Sequence, residues 1–157
     1  MNALIVIIIS LIALSMIAFL IFQSVRRKKR LIKELLDFAA EIGCTITVYD
    51  IWGDTRIGVD REKRYLFFIR RFDDSFFKTA IDINNVSVCK MTNVSHAVGD
   101  GKERQLVIDK ILLSFIFKRE KTDTNLEFYD SEKDGMQITD ELQLAEKWEG
   151  IVNSLKQ

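Results

Sequence analysis

Nineteen consecutive residues without a charge, 4–22, constrain this chain more than anything else in it. Fourteen of them are Leu, Ile, Val or Phe, and Ser10 and Ser15 alone carry hydroxyls. As a helix at about 1.5 Å per residue the run reaches roughly 28 Å, close to the thickness of a bilayer's hydrocarbon core. Each large apolar side chain favours the membrane by about 0.3–0.6 kcal/mol. Each serine can return its hydroxyl to a helix carbonyl, so neither strands a polar group in lipid. Residues 1–25 therefore read as a transmembrane anchor, with the lipid bilayer as partner through residues 4–22.

Arg26, Arg27, Lys28, Lys29 and Arg30 follow the run directly, and no basic side chain precedes it. Cations next to a membrane segment stay on the cytoplasmic side. The expected topology is a single pass through the cell membrane, with the N-terminus outside and residues 26–157 in the cytoplasm. A cleaved secretory signal would carry its cations on the other flank and a shorter apolar region. The five cations form a membrane-interface group that sets topology and lies within reach of anionic headgroups, worth about 1 kcal/mol each near the surface.

The chain has 23 basic and 23 acidic residues, a balance that hides an asymmetry. Without the five juxtamembrane cations, 18 basic residues face 23 acidic ones. That sign argues against nucleic acid, whose binding depends on neutralising phosphates. Cys44 and Cys89 fit neither a metal spacing nor a disulfide framework, and read as buried thiols in a reducing compartment.

No Gly or Pro interrupts residues 1–42. Leu31, Leu35, Phe38 and Ile42 recur at helical spacing, with Ile32, Leu36 and Ala39 widening the stripe, and Gly43 suits a left-handed cap. Residues 26–43 thus form a basic juxtamembrane and helical linker whose apolar face either packs on the domain that follows or pairs two copies into a homo-oligomer through residues 31–42. From residue 44 the apolar period drops to 2. Strands are expected at 44–52, 56–60, 65–70, 77–83, 86–91, 106–117 (one long or two short) and 126–129. Turns fall at Gly53-Asp54, at residues 60–63, at Asp73-Asp74-Ser75 and at Asn84-Asn85, a pair tolerant of positive φ. Residues 92–102, with Gly99-Asp100-Gly101, read as the longest irregular stretch. A closing helix follows. Thr139 or Asp140 serves as N-cap, with Gln143 completing a capping box, and Leu142, Ala145, Trp148, Val152 and Leu155 share one face. Strands followed by one amphipathic helix make an α+β domain with an antiparallel sheet over residues 44–157.

Two stretches carry a family likeness. Ala145-Glu146-Lys147-Trp148-Glu149-Gly150-Ile151-Val152 is similar to the closing helix of pleckstrin-homology-like (PH-like) domains, and Ile81-Asp82-Ile83-Asn84-Asn85-Val86 resembles the phrase before the mid-barrel strand of bacterial, membrane-anchored members. The resemblance implies a small antiparallel β-barrel or sandwich plugged by its C-terminal helix, with the tryptophan facing the core. In members that bind phosphoinositides, basic residues of the first hairpin hold the phosphates. Here Arg61, Lys63 and Arg64 sit near such a turn, without the family's spaced Lys-and-Arg motif. Other members bind peptides or act as scaffolds.

Chemistry-bearing constellations are few. His96 is the one histidine, and neither a nucleophile elbow nor a phosphate-binding glycine loop is present. An enzyme is not expected, nor a cofactor. Asp130, Glu132, Asp134 and Glu141 fit several positions of a calcium-loop template, but the entering segment reads as a strand, and a solvated strand-to-helix turn is the expectation over a metal site. Trp52 ends a strand beside Gly53, where it either caps the barrel end or anchors a partner. The sequence thus points to a membrane-anchored, non-catalytic binding or scaffolding module with another protein as partner. The alternatives are an anionic-lipid headgroup sensor, through Arg61, Lys63 and Arg64, and an extracytoplasmic ligand-binding domain.

Overall fold

The computed structural model describes residues 3–72, 75–99, 105–119, 123–135 and 137–156. It begins with a 39-residue helix, α1 (Ala3–Glu41), that runs without interruption from the apolar segment through the five cations and along the domain. Among the described residues this is the one helix long and apolar enough to cross a membrane. Ser10 and Ser15 each donate a hydroxyl hydrogen bond to the carbonyl three residues back, at 3.2 and 2.8 Å, as lipid burial requires. The helix stops where Gly43 takes a φ of +72°. There the Gly43 amide bonds the Ala40 carbonyl and the Cys44 amide the Ala39 carbonyl, both at 2.9 Å, closing the last turn in a Schellman arrangement.

Among the described residues seven antiparallel strands follow, in two sheets. β1 (Val48–Trp52), β2 (Thr55–Asp60), β3 (Tyr65–Phe72) and β4 (Ser75–Asp82) form one sheet in sequential order. β5 (Val86–Val98), β6 (Gln105–Phe117) and β7 (Thr124–Asp130) form the second. A single helical turn, α2 (Ser131–Asp134), leads towards the closing helix α3 (Glu141–Leu155). The expected α+β class with an antiparallel sheet and a C-terminal helix is present, but the strands make two separate sheets and not a closed barrel.

Inward residues of both sheets and α3 share one core. Ile57, Val59, Leu66 and Phe68 meet Cys89, Ile111, Leu113, Phe115, Leu126 and Phe128, and Ala145, Trp148 and Val152 close it from α3. Trp148 is fully buried, and its indole N–H donates to the Asp50 carboxylate at 2.8 Å. Lys147 reaches the same carboxylate at 2.7 Å, so β1 and α3 are tied by a charge-assisted pair of bonds.

The outer face of the first sheet is equally dry, because α1 lies on it. Leu31, Leu35 and Ala39 are buried there, and Leu35 and Ala39 pack with Phe67, Ile69 and Cys44. Gly58 makes the approach feasible. A Cβ at that position would stand 2.9 Å from two carbons of Ile46 and 3.1 Å from Leu35 Cδ2. With both faces covered, every residue of β2 is buried. The stripe that the sequence offers either to the domain or to a second copy is thus occupied by the domain, while Leu36 and Ile42 stay exposed.

Several local expectations are revised. β1 begins at Val48, not residue 44, because the preceding segment is held crosswise: Thr45 donates its amide to Asp60 at 2.7 Å and Thr47 donates to the Val59 carbonyl at 2.9 Å. Asn84 and Asn85 belong to a 3-10 turn, Ile83–Asn85, capped by Asp82, and no hairpin joins β4 to β5. Neither asparagine has positive φ; Arg64, at +57°, is the one non-glycine that does among the described residues. Residues 92–98, expected to be irregular, continue β5 to a length of 13 residues, and β6 matches it as one long strand. At α3 the capping box does not form. Asp140 makes no side-chain cap, and the Glu141 carboxylate instead accepts from the Thr139 amide at 2.7 Å. Asp73, Asp74, Asp100 and Gly101, expected in turns, lie outside the described residues.

Two substitutions test this packing. Trp148→Ala should cost about 3–5 kcal/mol, read as a fall in the denaturation midpoint, with Trp148→Phe losing less because it keeps most of the buried volume. Gly58→Ala should destabilise by about 1–3 kcal/mol through overpacking against Ile46 and against Leu35 of α1, and Ile46→Ala in the same chain should recover most of that loss. Equal midpoints for Gly58→Ala and the unsubstituted protein would show that Ile46 and Leu35 do not close on the sheet at Gly58.

Candidate functional site

The domain meets the apolar helix at a defined end. Arg27, five residues beyond Phe22, places its guanidinium 2.7 Å from the Asp54 carboxylate in the β1–β2 turn. Arg26 sits over the Phe22 ring at 4.1 Å, and Lys28, Lys29 and Arg30 are exposed. Further along α1, Glu34 accepts from Arg56, which is fully buried between helix and sheet and also donates to the Asp54 carbonyl at 3.0 Å. Burial pushes the Arg56 guanidinium below its ordinary value, and Glu34 pulls the other way. Near the end of α1, Glu41 takes Lys78 at 3.0 Å, whose ammonium also lies 3.9 Å from the Phe38 ring centre. Three ion pairs spread along the helix thus flank its apolar contact.

Arg61, Lys63 and Arg64 are at the opposite end. They lie in the β2–β3 turn, the second hairpin, and not in the first, where the family likeness would want a phosphate site. Lys63 donates to the Gly43 carbonyl past the end of α1, and Arg64 donates to Asn84 at 3.3 Å. Arg61 is exposed. The Asp60 carboxylate shapes this turn by accepting the amides of Glu62 and Lys63 at 3.0 and 2.9 Å. Burial alone would raise the Asp60 pKa; these amides and that of Thr45 outweigh it and hold the group below the usual range. About 20 Å of helix separates this basic turn from the juxtamembrane cations.

Trp52 is half-buried. Its ring stacks on Phe128 at 4.8 Å between centres, and its N–H donates to the Phe128 carbonyl at 3.2 Å, so it closes the gap between the sheets. One edge of it lines a cleft of about 310 Å³ with Asp54, Arg71, Lys133, Asp134 and Glu141.

The quartet Asp130, Glu132, Asp134 and Glu141 does not converge on a common point. Asp130 is buried and accepts from Lys110 at 3.0 Å, with Lys133 at 3.2 Å, and it caps α2 through the Glu132 amide at 3.1 Å. Asp134 takes the buried Arg70 at 2.7 Å, and Glu141 is turned to Thr139. Side-chain cations thus engage Asp130 and Asp134, and among the described residues no group of three or more His, Cys, Asp or Glu is arranged to hold an ion. This Arg70–Asp134–Asp130–Lys110 network was not legible from spacing. Its one signal is an arginine at an inward position of β3, Arg70 in line with Leu66 and Phe68.

His96 lies in β5, not in a loop, and its Nδ1 is 2.8 Å from Asp109 across the hairpin. His96 is exposed and Asp109 half-buried, and no hydroxyl or thiol bonds the other ring nitrogen among the described residues. Cys44 and Cys89 are buried free thiols. Burial, with help from Glu149, pushes the Cys89 thiol up to about 12, which keeps it protonated and unreactive at neutral pH.

Comparison of the chain with protein families, with curated proteins and with solved structures finds no match.

The buried aspartate makes a pH prediction. Burial by itself would raise the Asp130 pKa, but Lys110, the Glu132 amide and Lys133 together bring it down from 3.8 to about 2. A carboxylate with a depressed folded pKa stabilises above its unfolded value and loses that contribution as pH falls through the folded one. About 2 kcal/mol should therefore disappear between roughly pH 4 and pH 2. Asp130→Asn should flatten the stability profile in that window, measured by denaturant titration of the domain at each pH.

Proposed function

We propose that this protein is a membrane-anchored, non-catalytic binding or scaffolding module of PH-like type, with its domain on the cytoplasmic side. The observation that carries the reading is the union of anchor and domain in one helix. The charge-free residues 4–22 run without a break into the cations at 26–30, and within five residues of Phe22 the same helix is bonded to the domain. The five cations favour the cytoplasmic side for everything after them.

The order of elements, four strands, three strands and a closing helix with a buried tryptophan, is what the PH-like resemblance implies. The absence of a closed barrel makes this a reading of architecture alone. Support for binding over chemistry comes from the buried charged groups, Arg56, Asp60, Arg70 and Asp130, each of which is engaged in structural bonds. Against the headgroup-sensor alternative stands the position of Arg61, Lys63 and Arg64, which lie at the end of the domain remote from Arg27, with Lys63 and Arg64 tied to backbone and side-chain partners.

Topology is the direct test. A reporter fused after Gln157 should be active only in the cytoplasm, and replacing the five cations by Ser should yield both orientations in comparable amounts. Glycosylation at either acceptor sequence, Asn85-Val86-Ser87 or Asn93-Val94-Ser95, or activity of an exported reporter, would place the domain outside and favour an extracytoplasmic ligand-binding domain.

A further inference from the structure

We propose that the domain has a second foothold on the bilayer, at the membrane-proximal end of the β3–β4 hairpin, where Arg71 and the ring of Phe76 rest on the anionic lipid interface. The proposal depends on the anchor reading above, and it concerns a contact that the anchor itself does not require.

The position follows from the helix. Five residues from Phe22 to Arg27 span about 7.5 Å, comparable with the depth of one polar headgroup layer. Asp54, bonded to Arg27 at 2.7 Å, therefore stands at headgroup level once residues 4–22 fill the hydrocarbon. The Arg71 amide donates to the Asp54 carbonyl at 3.3 Å, which brings the end of β3 to the same level. Phe76 pairs with Arg71 across the β3–β4 ladder. Two residues on, Lys78 bonds Glu41 of α1, so strand alternation puts Phe76 on the face of the sheet that α1 covers.

The chemistry of the patch fits that setting. Phe76 is 51% exposed, although it is a full aromatic ring on an edge strand, and the Arg71 guanidinium lies 5.8 Å from its centre. An apolar ring beside an exposed arginine is ill-suited to bulk water and well matched to the interface, where the ring meets the acyl boundary and the guanidinium meets phosphate. Charge is complementary as well: the five cations at 26–30 and Arg71 outnumber Asp54, Asp134 and Glu141, the carboxylates of the cleft that Arg71 lines. The occupant is the surface of the same bilayer that α1 crosses, engaged through lipid phosphate.

The test uses the full chain in nanodiscs containing anionic lipid, with an environment-sensitive fluorophore on Ser75→Cys, which leaves Arg71 and Phe76 in place. The reference sites are Phe22→Cys, inside the apolar run, and Arg61→Cys, at the far end. Headgroup-borne nitroxide lipids should quench the Ser75 probe at least threefold more than the Arg61 probe, and Phe76→Ser with Arg71→Ser should bring the two level. If Phe22 is quenched and Ser75 behaves like Arg61, the anchor stands and the foothold is overturned. If Phe22 is not quenched either, the anchor reading itself fails. If the Ser75 probe is shielded from both lipid and aqueous quenchers, the patch is covered by protein, and the lipid assignment is equally overturned.

Discussion

The architecture depends on a sheet that is dry on both sides. A single antiparallel sheet ordinarily buries one face and solvates the other. Here β1–β4 are pressed between the shared core and α1, and β2 has no exposed residue. That is why a glycine sits at 58, why Arg56 is forced into a pair with Glu34, and why the anchor helix does not swing free of the domain. The buried arginine is the costly part of the arrangement. Its Nε finds no partner, and a charge taken out of water is compensated only if its remaining donors are matched. Its value is positional. An apolar stripe can slide along a sheet, whereas Glu34 on Arg56 and Arg27 on Asp54 fix the register of helix against strand.

The two clusters divide the work of stability. The larger, centred on Trp148, Phe115 and Phe128, holds the sheets and α3 together. The smaller, of Leu35, Ala39, Phe67 and Ile69 with Phe38 and Ile46 around it, holds the domain to α1. Polar groups buried at their edges are paired with few exceptions, as the low dielectric there demands. Asp50 serves Trp148 and Lys147, Asp60 serves three amides, and Asp130 joins Lys110 to α2.

Much of this was legible in the chain. The helix, its end at Gly43, most strand positions and the face of α3 followed from periodicity, which reports burial directly. The misplacements have local causes. Asn84-Asn85 looks like a hairpin because both residues tolerate positive φ, but Asp82 can also cap a tight helical turn, and that competitor wins. Polar residues at 92–98 read as loop, whereas a hairpin arm solvated on both faces still satisfies its backbone through the ladder to β6. The ion network around Arg70 and Asp130 joins residues as far as 64 positions apart, a coincidence in space that no spacing encodes. Its carboxylates were legible only as an acidic turn before a helix, and the cations that claim them lie on other strands.

The continuity of α1 has a mechanical meaning. On the proposed anchor reading, a domain hung from a flexible tether would sample every azimuth about the membrane normal, but one clamped to a continuous helix at Arg27, Glu34 and Glu41 does not swivel. The compass bearing of each domain surface is set by the rotation of the helix within the bilayer. Because successive residues turn a helix by about 100°, the sequence between the apolar run and the first clamp acts as a gear setting, in which one residue more or fewer would point the same domain at a different neighbour.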